Sequence, residues 1–128
     1  MAKVIVAELE GPVLDWAVAK YEGMIPKDVI YSRPIAEYSF HPSTDWAQGG
    51  PIIEREEIQI GRSHTSKQWV KQWVANTLES GHAWIGGPTP LVAAMRTFVR
   101  SKCKDAFIEV PDELLQEPDL TEIQHPRG

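Results

Sequence analysis

The fold is decided by the stretch TPLVAAMRTFVR, residues 89–100, which predicts a buried helix with both ends marked. Thr89 is a preferred N-cap residue, and Pro90 suits the first helical position because the N–H that proline lacks has no partner there. Arg100 and the lysines after it complement the negative end of the helix dipole. Apolar side chains recur at helical spacing and predict one buried face, made of Leu91, Ala94, Met95, Phe98 and Val99.

The segments near both ends of the chain add strands and a further helix. Residues 3–9 (KVIVAEL) and 107–110 (FIEV) have the composition of short strands. Residues 13–22 follow Gly11-Pro12 and repeat apolar side chains at helical spacing, so we expect a helix that Gly23 ends. The fold class we predict is α+β, with two or three helices packed on a small, mainly antiparallel sheet.

Two segments in the middle of the chain carry different signals. The prolines and glycines of residues 24–50 break any helical pattern, so we expect irregular chain there, with short extended pieces near 29–31 and 36–40. A strand is expected around residues 57–60, and another over residues 82–85. Residues 66–78 carry an apolar stripe that predicts a further helix: Trp69, Val70, Trp73, Val74 and Thr77.

Length and composition indicate one domain. The chain has 128 residues, of which 42% are hydrophobic and 24% charged, and these are ordinary values for a globular protein. We assign residues 1–116 to a single domain and residues 117–128 to a polar tail. Five tryptophans serve a small core, so we expect a homo-oligomer that shares aromatic surface. Trp69 and Trp73 are the first interface candidates, and the alternative is that they face the domain's own core.

Charge and reactive side chains argue against several functions. A net charge of −5 is unlike that of a nucleic-acid-binding protein, and the single cysteine, Cys103, leaves no internal disulfide. The apolar run in residues 1–6 is too short for a signal peptide or a membrane span, so we expect a cytoplasmic protein without a membrane partner. No metal-ligand spacing, cofactor motif or catalytic motif is present, so we expect no metal and no cofactor.

Residues 41–55 concentrate the groups that suit a ligand site. Trp46 can stack on a flat ring, paired glycines allow a close approach of the backbone, and Arg55 can pair with an anion. In the alternative interpretation, Gly49-Gly50-Pro51 is a tight turn, Asp45 caps it and Trp46 fills the core. The predicted ligand-binding residues of this segment are Ser43, Thr44, Asp45, Trp46, Gln48, Gly49, Gly50 and Arg55.

Two further candidates lie on the helix of residues 89–100. Gly86-Gly87 precedes its N-terminus near Thr89, where free N–H groups would suit an anion, although a loop followed by an N-cap explains the same residues. Arg96 lies near the apolar face and either reaches a pocket or pairs with a glutamate. Asp15 on the first helix is expected in a surface salt bridge.

Four pieces of the chain carry a family resemblance. They are residues 14–20 (LDWAVAK), 43–54 (STDWAQGGPIIE) and 89–96 (TPLVAAMR), and the pair Val110-Pro111. Together they resemble the NinX-like proteins of tailed phages and prophages, a domain of unknown function, over about residues 3–115. The resemblance implies a phage accessory protein that acts in the bacterial host cytoplasm, and it implies no reaction and no catalytic residues.

These observations leave three hypotheses for function. The first is a non-catalytic binder of a small ligand, which in a phage would sequester a nucleotide-derived immune signal of the host. The second is a regulator that binds a host enzyme through an aromatic patch and an acidic surface. The third is an enzyme acting on a nucleotide or peptide, for which Asp45 and His82 would be the residues to test.

Overall fold

Three α-helices and two small antiparallel sheets make up the part of the chain that the computed structural model describes, residues 2–24, 40–63, 72–77 and 84–115. This confirms the predicted α+β class. In chain order the elements are β1 (Ala2–Ile5), a 3₁₀ turn (Val6–Glu8), α1 (Gly11–Tyr21), α2 (Trp46–Glu56), β2 (Gln59–Ser63), β3 (Gln72–Asn76), β4 (Ile85–Gly87), α3 (Pro90–Cys103), β5 (Phe107–Val110) and a second 3₁₀ turn (Asp112–Leu114).

Helix α3 is the centre of the core. Its predicted start is confirmed, because the Thr89 hydroxyl accepts the Val92 N–H at 3.1 Å, and Lys104 ends it in the left-handed conformation, φ 54°. Residues 91–99 are all buried rather than one face alone, because α1, α2, the first 3₁₀ turn and strands β2, β3 and β4 pack around this helix.

The two sheets have two and three strands. Strands β1 and β5 pair antiparallel, with Ala2 opposite Val110. The second sheet has the order β2-β3-β4, and its middle strand is tied to α3 because the Thr97 hydroxyl donates to the Ala75 carbonyl at 3.1 Å. Strand β4 lies so close to α3 that a Cβ on Gly87 would come within 2.7 Å of the Ala93 nitrogen. A glycine is therefore required at this crossing.

Two of the predicted middle elements are wrong. Gln72–Asn76 is the strand β3 and not part of a helix, because it gains a full set of backbone hydrogen bonds between β2 and β4; Trp69 and Val70 lie outside the described residues. Gly49, Gly50 and Pro51 lie inside α2 and not in a turn. Glu57, with φ 55°, ends α2, so the strand expected at 57–60 lies instead at Gln59–Ser63.

The other predictions differ from the structure mainly at their ends. Helix α1 begins at Gly11 rather than Val13, and Gly23, with φ 81°, follows its end as expected. The strand expected at residues 3–9 ends at Ile5, because the first 3₁₀ turn follows it. The strand expected at residues 82–85 corresponds to β4, which begins only at Ile85. The extended piece expected near 29–31, all of the piece expected at 36–40 except Phe40, and the tail of residues 117–128 lie outside the described residues. Phe40 is not part of a strand. No described helix is long and apolar enough to cross a membrane.

Candidate functional site

The segment leading into α2, residues 41–48, is closed by its own hydrogen bonds, and we call it the α2 entry turn. The Asp45 carboxylate caps the helix by accepting the Ala47 N–H at 2.9 Å. The Gln48 side-chain oxygen accepts the His41 N–H at 2.6 Å, and the His41 carbonyl accepts the Thr44 N–H at 3.1 Å. These bonds fix the position of the side chains that the turn carries.

Trp46 is the most exposed aromatic group on the α2 entry turn. It is the first residue of α2, and 54% of its surface is accessible. Several polar atoms around it have no hydrogen-bond partner within the described residues, namely the indole N–H, the Gln48 side-chain N–H₂ and the second Asp45 carboxylate oxygen. The turn therefore presents an exposed aromatic side chain with polar side chains beside it in the sequence.

Pro51 adds a further acceptor close to Trp46. Proline has no N–H, so the carbonyl of Ala47, four residues earlier, loses its α-helical donor. Ala47 and Pro51 are both exposed. Gly50, directly before the proline, relieves the clash that a Cβ there would make with the proline ring. The Gly-Pro pair thus allows a helix in which the Ala47 carbonyl lacks its usual α-helical donor.

Gly49 and Gly50 have different environments. A Cβ on Gly49 would lie 2.6 Å from the Pro42 carbonyl oxygen and 2.7 Å from Leu91 Cδ2, whereas a Cβ on Gly50 would meet nothing within 4 Å apart from its neighbours in the chain. Gly49 therefore lets α2 pack directly on the entry turn and on α3. Its role in this structure is close packing.

Ser43 connects the α2 entry turn to α1. Its N–H donates to the Asp15 carboxyl at 3.0 Å, and both residues are buried, with accessible fractions of 1% and 5%. Burial raises the pKa of Asp15 from 3.8 to about 6, against opposing effects of the Ser43 N–H, the Ser43 hydroxyl and the charge of His41. The Ser43 hydroxyl thus faces the carboxyl, yet within the described residues it forms no hydrogen bond.

Asp15 was expected in a surface salt bridge, and that expectation is wrong. It lies within Leu14–Ala19, six consecutive buried residues of α1. The sequence signal for this role is an acid flanked on both sides by large apolar residues, because a helix that is apolar on all faces is buried on all faces.

Arg55 lies at the far end of α2. Its guanidinium donates to both carboxylate oxygens of Glu22, at 3.3 and 2.5 Å, and to Glu56 at 2.8 Å. Nine residues separate Arg55 from Trp46, which corresponds to about 13 Å along a helix. Arg55 therefore joins the ends of α1 and α2, and the structure does not bring it together with Trp46.

Arg96 and Thr89 are also engaged within the protein. Arg96 is 8% exposed and donates to the Leu9 carbonyl at 2.7 Å and to the Gly86 carbonyl at 2.8 Å, and burial lowers its pKa. Thr89 caps α3. Neither residue lies on the α2 entry turn. Of the predicted ligand-binding residues, the turn brings together Ser43, Thr44, Asp45, Trp46 and Gln48.

Metal ligands are not clustered in the described ranges. No group of three or more His, Cys, Asp or Glu residues among them is placed to hold an ion.

Sequence comparison assigns the chain to a family. No curated protein matches the sequence. The family model described as Bacteriophage P22, NinX matches residues 5–102, which is most of the chain and includes α1, α2 and nearly all of α3. The match confirms the resemblance carried by residues 14–20, 43–54 and 89–96. The chain therefore belongs to the Bacteriophage P22 NinX family.

Proposed function

We propose that this protein is a non-catalytic phage accessory protein that binds a small ligand with a flat, nucleobase-type ring at the α2 entry turn. The observation that carries the proposal is Trp46, which is 54% exposed on a turn that internal hydrogen bonds hold in place. A large aromatic side chain held in water by a preformed turn is a suitable platform for stacking.

Polar groups within two residues of Trp46 are of the types that would contact the edge of a nucleobase. The Gln48 side-chain N–H₂ is a donor, and the second Asp45 oxygen and the Ala47 carbonyl are acceptors. A base edge presents the complementary pattern of ring nitrogens, carbonyl oxygens and exocyclic amines. Stacking on an aromatic side chain contributes about 1–3 kcal/mol per base.

The recognised part of the ligand is its ring rather than a phosphate. Arg55 is paired with Glu22 and Glu56, and Arg96 is bound to two backbone carbonyls. The Asp45 carboxylate already occupies the positive end of α2 and would repel a further anion. The role we propose is that this phage protein sequesters a nucleotide-derived immune signal in the host cytoplasm. Such a role requires that the protein bind the signal molecule, and it requires no reaction.

Exposed apolar side chains elsewhere support a second candidate, a regulator that binds a host protein. Ile5 and Phe107 face each other across β1 and β5 and are 39% and 44% exposed, and Trp84 is 51% exposed. Such groups are typical of protein interfaces. A host partner that is still captured after Trp46→Ala would favour this candidate.

The homo-oligomer expected from Trp69 and Trp73 stays a prediction. Trp73 packs against the core, and the Arg62 guanidinium lies 4.7 Å from the centre of its ring.

Calorimetry with a panel of adenosine, guanosine, AMP and ADP-ribose tests the proposal. Trp46→Ala should weaken binding by about 10–100-fold, as loss of one stacking contact implies. Trp84→Ala is the matched control, since this tryptophan is equally exposed at 51% and lies outside the turn, and it should bind like the wild-type protein. Absence of binding by the wild-type protein, or an equal loss in both variants, would contradict the proposal.

A further inference from the structure

A hydrogen bond between residues 28 positions apart in the sequence attaches the α2 entry turn to α1. The Ser43 N–H donates to the Asp15 carboxyl at 3.0 Å, and both residues are buried. The bonds within the turn fix its shape, whereas the bond to Asp15 fixes where the turn lies on α1. On the other side, the carbonyl of Pro42 packs closely against Gly49 of α2. Ser43 is therefore held between two helices.

The two groups of Ser43 that face Asp15 are both hydrogen-bond donors. The N–H is bonded, and the buried hydroxyl faces the carboxyl without a hydrogen bond to any described residue. Both oxygens of a carboxylate accept, so Asp15 can accept the N–H and still offer an acceptor to the hydroxyl. Loss of the carboxyl would leave both donors buried without this acceptor, and an unsatisfied buried donor is more costly than a hydrogen bond is favourable.

Stability alone does not explain a carboxyl at this position of α1. Asp15 lies between Leu14 and Trp16 in a run of buried residues, and no described lysine or arginine forms an ion pair with it. Burial raises its pKa to about 6, so the carboxyl is ionised at pH 7. A buried carboxylate without a cationic partner costs stability, and an apolar side chain would avoid that cost. The hydrogen bond that Asp15 accepts from the turn supplies a reason for the carboxyl.

We infer that Asp15 is a positioning residue for the α2 entry turn: its carboxyl holds the turn on α1 through Ser43 and thereby fixes the place of Trp46. Trp46 lies three residues after Ser43 in a turn closed by internal hydrogen bonds, so the backbone transmits the hold to Trp46. A stacking platform that is fixed before the ring arrives loses less conformational freedom on binding. The effect on affinity rests on the proposed function, whereas the hold on the turn does not.

Hydrogen exchange of the Ser43 amide at pH 7, without any ligand, tests the hold. In Asp15→Ala its protection should fall about 10–100-fold, because a hydrogen bond to a charged acceptor is lost. In Asp15→Asn it should stay within about 10-fold of the wild-type value, because the carboxamide oxygen still accepts the N–H. Asp15→Leu removes the same acceptor and fills the space, so it takes the place of Asp15→Ala if that variant does not fold.

Val110→Ala separates loss of the hold from a general loss of stability. Val110 is a buried residue of β5, and its truncation lowers the stability of the core without removing a hydrogen bond of the turn. Amides of α3 report the stability of the core in the same experiment. Protection of Ser43 should fall more than that of α3 in Asp15→Ala, and no more than that of α3 in Val110→Ala. An equal fall of both in Asp15→Ala, or unchanged protection of Ser43, overturns the inference.

Calorimetry with adenosine, guanosine, AMP and ADP-ribose measures the effect on the proposed site. Asp15→Ala should bind about 3–10-fold more weakly than the wild-type protein, because a smaller fraction of molecules holds Trp46 in place. Asp15→Asn and Val110→Ala should bind within about 2-fold of wild type. Wild-type affinity in Asp15→Ala would overturn the inference even though the ligand binds. If the wild-type protein binds none of the four compounds, the proposed function fails, and the exchange of the Ser43 amide still decides whether Asp15 holds the turn.

Discussion

Replacement of Gly49 by alanine tests whether close packing, rather than a ligand loop, is the reason for this glycine. The added Cβ would lie 2.6 Å from the Pro42 carbonyl oxygen and 2.7 Å from Leu91 Cδ2. Leu91 can change rotamer, but the Pro42 oxygen belongs to the backbone of the α2 entry turn, so the turn itself must move. Overpacking of this kind costs about 1–3 kcal/mol, and the higher helix propensity of alanine returns about 1 kcal/mol.

Because the clash involves backbone atoms, we expect the upper part of that range, about 2–3 kcal/mol. The net loss is then about 1–2 kcal/mol in the free energy of unfolding, or about 3–8 °C in Tm for a domain of this size. Urea denaturation followed by circular dichroism measures it. Gly50→Ala is the matched control, because a Cβ there meets nothing within 4 Å. In Gly50→Ala, improved helix propensity and crowding by Pro51 oppose each other, so its stability should stay within about 1 kcal/mol of wild type. The packing argument fails if Gly49→Ala is as stable as Gly50→Ala.

Two further predictions concern stability. Burial raises the pKa of Asp15 from 3.8 to about 6, so the folded protein should lose stability as pH rises through this interval. Asp15→Asn should therefore gain up to about 3 kcal/mol in the free energy of unfolding at pH 7 and nothing at pH 3.5. Urea titrations at both pH values measure this gain, and equal gains at both would show that the charge of Asp15 is not the cause. Thr89→Ala should cost about 1 kcal/mol because the Val92 N–H loses its acceptor. Thr44→Ala, at an exposed hydroxyl that caps no helix, should cost less than half as much in the same melts, and an equal loss would argue against the cap.

The elements that were predicted from the sequence are those with several local signals in agreement. Helix α3 has the Thr89-Pro90 start and a long apolar period, and α1 has Pro12 and Gly23 at its ends. Strand β5 is short, but its composition admits no other element.

The errors arose where long-range contacts outweighed local signals. Trp73 and Val74 follow Trp69 and Val70 at helical spacing, yet tryptophan and valine also have high strand propensity. Pairing with β2 and β4 decides for the strand at Gln72–Asn76. Gly49 and Pro51 disfavour a helix locally, but α2 gains the Asp45 cap and the contact of Gly49 with Pro42 and Leu91. Pro42 and Leu91 lie outside α2, so the sequence pattern of the helix itself does not reveal the contact.

The candidate site was predictable in part for the same reason. Asp45, Trp46 and Gln48 are neighbours in sequence, so their proximity needed no knowledge of the fold. The partners of Arg55 and Arg96 are distant in sequence: Glu22 is 33 residues away, and the Leu9 carbonyl is 87 residues away. A guanidinium that can bind an anion and one that is already paired look identical in the sequence.

The pairing of β1 with β5 sets an order of events during synthesis. Ile5 lies opposite Phe107, so β1 waits for about a hundred further residues to be synthesised before its partner exists. At a translation speed of about 5–20 residues per second, this delay lasts about 5–20 seconds. During it β1 is an unpaired edge strand that can associate with other nascent chains. Pairing of the two strands is thus a late step in the synthesis of each copy, and unwanted association through β1 should be most frequent before Phe107 has emerged.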